Sequence, residues 1–279
     1  MEDAHKVEPA RPLLPHAAAL ILLMLVTLPM VGWHGVFSSD EGAGIAQARA
    51  LTDRHSFGLP HPFPEADPTG VAFPLEQSGR AGEGFAPLPK KPAYSVLLAA
   101  ADRVGGVPVM LLLSIGGTVA AALLAALVAG RLHPHLRAPT FWLTGLASPL
   151  FTDGYLVIAH TLGAAACAGA LLLVVRAIER PAPLRLALVA LPVAAAVLLR
   201  AEALLFGVAM TVSLAVVGWH RRDRRVGVTA LAALGGTVGG YLLDRALSTA
   251  AFGQRVGIPG VGGSEADGFV VGRVQGFVA

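Results

Sequence analysis

Two adjacent carboxylates, Asp40 and Glu41, stand a few residues beyond the first long apolar run of this 279-residue chain. An acid pair at that place has two uses. One member takes or orients a proton, or both sit in the first turn of a helix capped by Ser38 or Ser39, where the helix dipole favours negative charge. Lys90 and Lys91 precede Pro92, which fixes the chain at the start of a following helix. Each lysine is either a point charge able to hold an anion or a side chain snorkelling to an interface. Tyr94 offers a hydroxyl to the same anion, or anchors the chain at the interface. Arg200 is the sharpest single residue, with Leu198-Leu199 before it and an apolar run soon after it. An ionisable group at such depth is costly and marks function by default. Glu202 is its natural partner, and the plain alternative is an interhelical turn held by a charge pair. Asp153 is a further candidate or a turn residue after Ser148-Pro149. His160 is a candidate or a packed histidine.

The elements that must position these residues are helices in a membrane. The chain is 54% hydrophobic and 14% charged, where a soluble domain is about a quarter charged. Its apolar residues gather in runs at 16–33, 107–130, 155–175, 203–219 and 226–243. Each meets or approaches the roughly 20 residues that cross a bilayer. Two weaker runs, 139–151 and 184–199, read as short or tilted spans. The expectation is an all-α, polytopic membrane protein with about seven transmembrane helices in one domain over residues 1–279. The first run reads as a signal anchor, since it is long and no small-residue cleavage site follows it. Cys167 is the single cysteine, so no internal disulfide forms. The net charge of +3 is spread over short inter-helix loops, which excludes a nucleic-acid footprint and a nucleic-acid partner.

Orientation follows from the basic loops. A cytoplasmic N-terminus puts 133–137 and 220–225 inside, as the positive-inside rule asks, and those clusters read as topology anchors. Four polar features then share the outer side: the loop 34–106, the turn 148–154, the turn around Arg200 and Glu202, and the segment 244–279. Within the long loop, Ile45, Ala48 and Leu51 predict an amphipathic helix over 40–54. Residues 59–89, rich in Pro and Gly, are expected to be irregular, and 93–103 is helical in pattern. The loop therefore carries two interfacial helices. No metal site is visible, because His61, His133 and His135 lack acidic or cysteine neighbours at ligand spacing. No nucleophile elbow, phosphate loop or dinucleotide fingerprint is present, and no cofactor is called for. The glycine pairs at 116–117, 235–236 and 239–240 fit close helix packing.

The segment FSSDEGAGIAQARAL at 37–51, directly after the first span, resembles the start of the first outer loop of GT-C glycosyltransferases, the polytopic enzymes related to protein mannosyltransferases and aminoarabinose transferases. The LPKKPAYSVLL element at 88–98, SPLF at 148–151 and LLRAEAL at 198–204 resemble further elements of bacterial members, in the same order and on one side. The block at 159–161 lacks the acidic residue expected before its histidine. Members have more spans and greater length, so the chain reads as an N-terminal portion or a truncated relative. The resemblance implies transfer of a sugar from a polyprenyl-phosphate carrier to a lipid, glycan or protein acceptor outside a bacterial inner membrane. It implies Asp40 as the base, with Glu41 second, and Lys90, Lys91, Arg200 and Tyr94 on the donor phosphate. Asp153, His160 and Glu202 are secondary. A non-catalytic GT-C-like subunit and a polytopic transporter are the competing readings. Charges along a midplane path would favour the transporter, and their gathering at one surface favours the enzyme.

Overall fold

The computed structural model describes residues 12–31, 38–59, 65, 75–77, 85–87, 91–180 and 182–252. They form helix α1 (Leu14–Val31), α2 (Ser39–Arg54), a short antiparallel pair β1 (Leu75–Gln77) and β2 (Phe85–Pro87), then α3 (Pro92–Leu132), α4 (Arg137–Gly145), α5 (Leu150–Asp153), α6 (His160–Glu179), α7 (Pro183–Leu199), α8 (Ala203–Arg221) and α9 (Arg224–Phe252). The protein is a helical membrane-type chain. Five of these helices, α1, α3, α6, α8 and α9, are long and apolar enough to cross a bilayer, and α7 holds a shorter apolar stretch. Leu22, Leu205, Leu231 and Trp219 lie exposed along α1, α8 and α9, a pattern that suits lipid rather than water.

Helix α2 begins where its sequence asks. The Ser38 hydroxyl accepts from the Glu41 N–H, and the Glu41 carboxylate accepts from the Ser38 N–H, a reciprocal capping box. His55 closes the helix in the left-handed region. Helix α3 departs from the expectation of two separate helices at 93–103 and 107–130. Both are present, but they form one element broken at Gly105 and Gly106. Gly106 has φ of 67°, which only glycine adopts freely. The break is a fold-back, since Tyr94 on the first arm meets the Ser114 hydroxyl on the second. A straight helix would hold residues 94 and 114 about 30 Å apart. Leu98 and Ala101 of the arm and Met110 and Ile115 beyond it are buried in the same core.

The run at 139–151 is not a short helix. Helix α4, nine residues or about 13 Å, is too short to span alone. It continues instead through α5 and a non-helical stretch at 155–159, climbing beside α1. Trp142 Nε1–H donates to His16 Nδ1 at 3.1 Å, a Cβ on Gly145 would meet Leu20, one on Gly154 would meet Met24, and Tyr155 pairs with Thr27. From His16 to Thr27 α1 rises about 16 Å, and the broken segment rises with it. Side chains satisfy its interrupted backbone: Thr118 Oγ1 donates to Leu150 O at 2.8 Å, and Ser148 Oγ donates to Thr144 O at 2.6 Å. Backbone breaks at such depth are tolerated where protein surrounds them. Helix α6 accordingly starts at His160 rather than at 155.

Helices α7 and α9 run side by side in the same direction. A Cβ on Gly236 would lie 2.5 Å from Ala190 O, and one on Gly240 would lie 2.8 Å from Ala194 Cα. The second glycine of each pair therefore sets the spacing of this seam. Helix α9 also runs past Asp244 to Phe252, although residues 244–279 were expected to be a polar outer segment. Residues 253–279 lie outside the described residues.

Candidate functional site

Because successive helices alternate in direction, the bundle has two ends. One holds the Arg131–Glu179 pair, with Arg137, Arg176, Arg180 and the 221–225 arginines on the adjoining helix termini. The other holds Arg200. From Glu179 to Gly163, which packs against Arg200, α6 rises about 24 Å, so Arg200 lies most of a bilayer's thickness from the first end.

Arg200 is the C-cap of α7, and its guanidinium grips Glu202 with two contacts. Nε donates to Oε2 at 3.1 Å, and Nη2 meets Oε1 at 2.9 Å. That fork-on-carboxylate arrangement fixes the group in orientation as well as position. The aliphatic stem lies on Gly163, where a Cβ would come within 2.8 Å of Arg200 Cγ. Beside it, His160 at the start of α6 faces Asp153 at the end of α5, Nδ1 to Oδ2 at 3.0 Å. Asp153 lies close enough to Arg200 to feel its charge. For Glu202, burial pushes upward but is outweighed. Its own backbone N–H, the hydrogen bond and charge of Arg200, and the charge of Lys91 hold the carboxyl below its usual range.

Lys91 arrives by a different route. As the N-cap of α3 it sits at the tip of the folded-back arm, which carries it to α9, where its ammonium pairs with Asp244. Asp244 is 8% exposed, and its Oδ1 has no hydrogen-bond partner among the described residues. The charged groups thus alternate in sign, Asp244, Lys91, Glu202, Arg200 and Asp153, with His160 beside the last. They draw on α3, α5, α6, α7 and α9 and on the turn before α8.

The expected site residues divide into four sets. Lys91, Arg200, Glu202, Asp153 and His160 are brought together. Tyr94 is close by but buried, 5% exposed, and meets Ser114 inside the bundle rather than an interface. Asp40 and Glu41 part company. Asp40 is exposed on the first turn of α2. Glu41 is 1% exposed, and its Oε1 accepts from the Val157 N–H at 2.8 Å while Oε2 accepts from Ser38. It ties α2 to the broken crossing. Lys90 lies outside the described residues. Asp244 was not singled out from sequence, where it marked only the end of an apolar run. Behind the site, Ser95 Oγ donates to Gln47 Oε1 at 2.7 Å. Among the described residues, no three His, Cys, Asp or Glu side chains gather to hold a metal ion.

No family model, no curated protein and no solved structure matches this chain.

Proposed function

We propose that the chain is a membrane glycosyltransferase of the GT-C type, moving a sugar from a polyprenyl-phosphate donor to an acceptor on the extracytoplasmic side. The observation that carries the reading is that two cations from distant parts of the chain, Lys91 and Arg200, sit at one end of an apolar bundle, where the charge of each acts on Glu202. A lipid-linked donor presents its phosphate at a membrane surface, and negative charge grows on that phosphate as the glycosyl bond breaks. Cations already held in place stabilise that charge without having to reorganise. Arg200 and Lys91 would hold the phosphate, and Asp40, exposed at the start of α2, would take the acceptor's proton. Glu41 would keep α2, and Asp40 with it, against the broken crossing.

Sidedness is part of the proposal. The arginine-rich end, with Arg131, Arg137 and the 221–225 cluster, belongs in the cytoplasm under the positive-inside rule, which puts the Arg200 end outside. Counting the broken 134–159 crossing and α7 with the five long helices gives seven passes and a cytoplasmic N-terminus, in a bacterial inner membrane.

The test is glycosyl transfer in membranes from a labelled polyprenyl-phospho-sugar pool, with wild type beside Asp40→Asn and Arg200→Ala. Transfer that depends on both residues supports the enzyme. A wild-type chain that inserts with Asp40 outside yet transfers nothing is instead a non-catalytic subunit.

A further inference from the structure

Lys91 is unusual among the cations of the site in where its partner comes from. Arg200 is held by a carboxylate two residues along its own chain, while Lys91 is held by Asp244, 153 positions away. The pairing closes the folded-back arm of α3 onto α9, at a point where the Gly105–Gly106 turn has already carried Lys91 against the bundle. It is also lopsided. One oxygen of Asp244 takes the ammonium, and the other, Oδ1, is buried with no hydrogen-bond partner among the described residues. A buried carboxylate oxygen left unpaired is an unfavourable arrangement, and it fits a group that holds a place rather than completes a site. Lys91 meanwhile stands between two carboxylates, Asp244 and Glu202, since its charge is felt at both. An anion that reaches that ammonium, whose side chain is 21% exposed, has to compete with both.

We propose that Asp244 is a displaceable stand-in for a phosphate group: it occupies the Lys91 ammonium in the empty protein and yields it when the phosphate of a carrier enters. This rests on the reading of Lys91 as a phosphate-holding residue, and it adds to that reading the group that sets how tightly phosphate is held. Asp244 is a positioning residue here, acting through Lys91. The arrangement has a consequence for selectivity. A phosphodiester donor carries one charge, as the carboxylate does, and competes by its oxygens, whereas the monoester released on transfer brings more charge and more acceptor oxygens to the same ammonium.

The experiment uses the full chain in nanodiscs and two probes, a polyprenyl monophosphate and inorganic phosphate. Asp244→Asn should bind the phosphate probe about tenfold more tightly than wild type, the scale of one released charge-assisted contact. Lys91→Met should bind it more weakly, and the double variant should bind no more tightly than Lys91→Met. Tightening confined to the polyprenyl probe makes the lipid carrier the source of the phosphate. Equal tightening for inorganic phosphate makes it free phosphate. A measurement on the wild-type chain guards against misfolding of the variants: modification of Asp244 by a carbodiimide, read by mass spectrometry, should rise when the probe is added. The two ideas fail separately. If Lys91→Met binds as wild type does, Lys91 does not hold phosphate. If Lys91→Met weakens binding but Asp244→Asn does not strengthen it, or Asp244 labelling is unmoved by the probe, the stand-in role is overturned alone.

Discussion

The two ends of the bundle use the same ions in opposite ways. At one, Arg131 Nη1 meets Glu179 Oε2 at 2.7 Å with the side chains 43% and 42% exposed. At the other, Arg200 is 26% exposed, Lys91 is 21% exposed, and the pairs run into one another through Glu202 and Asp153. A solvent-facing pair contributes about 0–1 kcal/mol and is screened by salt. At the Arg200 end the cations and Asp244 are the sheltered members while Glu202 is 69% exposed, so the set is held by its links through neighbouring charges more than by burial. The difference lies in the backbone beneath. The Arg131 end is built from the plain termini of long helices. The Arg200 end is built from interruptions: a fold-back in α3, a broken crossing, and the α7–α8 turn.

The largest expected effect is on transfer. Arg200→Ala should lower glycosyl transfer by about a hundredfold or more, the scale seen when one preorganised donor to a developing anion is removed. Arg131→Ala should leave transfer within about twofold, because an exposed pair of that kind contributes little. Equal losses in the two variants, measured in the same membranes at matched expression, would mean that the ends do not differ in function.

A smaller effect sharpens the comparison, because each end rests an arginine on a glycine. A Cβ on Gly163 would lie 2.8 Å from Arg200 Cγ, and one on Gly130 would lie 2.4 Å from Arg137 Cγ. Gly163→Ala should push the Arg200 guanidinium off its place and lower transfer about tenfold, since misplacement on the scale of an ångström is costly to chemistry. Gly130→Ala displaces Arg137 instead and should leave transfer unchanged. Retention of the thermal midpoint in both variants would show that geometry rather than folding is responsible.

What the sequence made legible follows from how local each feature is. The start of α2 was readable, because Ser38, Asp40 and Glu41 act within one turn. So was the break between 103 and 107, which two adjacent glycines announce. The apolar runs located α1, α7 and α8 to within a few residues. Glu41 could not be read as an anchor, since its partner is the Val157 N–H, 116 positions on. The same distance problem hid Asp244: an aspartate at the end of an apolar run looks like the start of a polar tail until α3 folds Lys91 back onto it. The run 139–151, expected as a short or tilted span, holds a break that hydropathy does not register. Ser148-Pro149 and Gly154 interrupt the helix, while Thr118 and Ser148 supply the hydrogen bonds that let it break.

Acidity tests the Arg200 end next, through a carboxyl that is held down there. The Glu202 carboxyl titrates lower in the fold than in the unfolded chain. Its contribution to stability is therefore present above its ordinary value of about 4.5 and is lost as pH falls through the lower, folded value. The side chain is 69% exposed, so solvent discounts the effect, and the thermal midpoint should move by only about 1 °C across that range. Glu202→Gln should flatten that part of the midpoint-against-pH curve. An unchanged curve would mean that Arg200 and Lys91 do not act on Glu202 in the folded chain.

The smallest expected effect belongs to the pair that looks best by distance alone. Arg131→Ala or Glu179→Ala removes a 2.7 Å contact, shorter than the contacts Arg200 makes with Glu202. Distance does not set the outcome, because both side chains lose little water on pairing and must give up rotamer freedom to meet. Each single variant should lower the thermal midpoint by less than about 1 °C, and the double variant should differ little from either. Raising the salt from about 0.1 M to 1 M shortens the screening length to about 3 Å and should erase the difference from wild type. A loss that survives high salt would show that the Arg131 end is linked in the way the Arg200 end is. The contrast between the ends would then lie in what each binds rather than in how each is built.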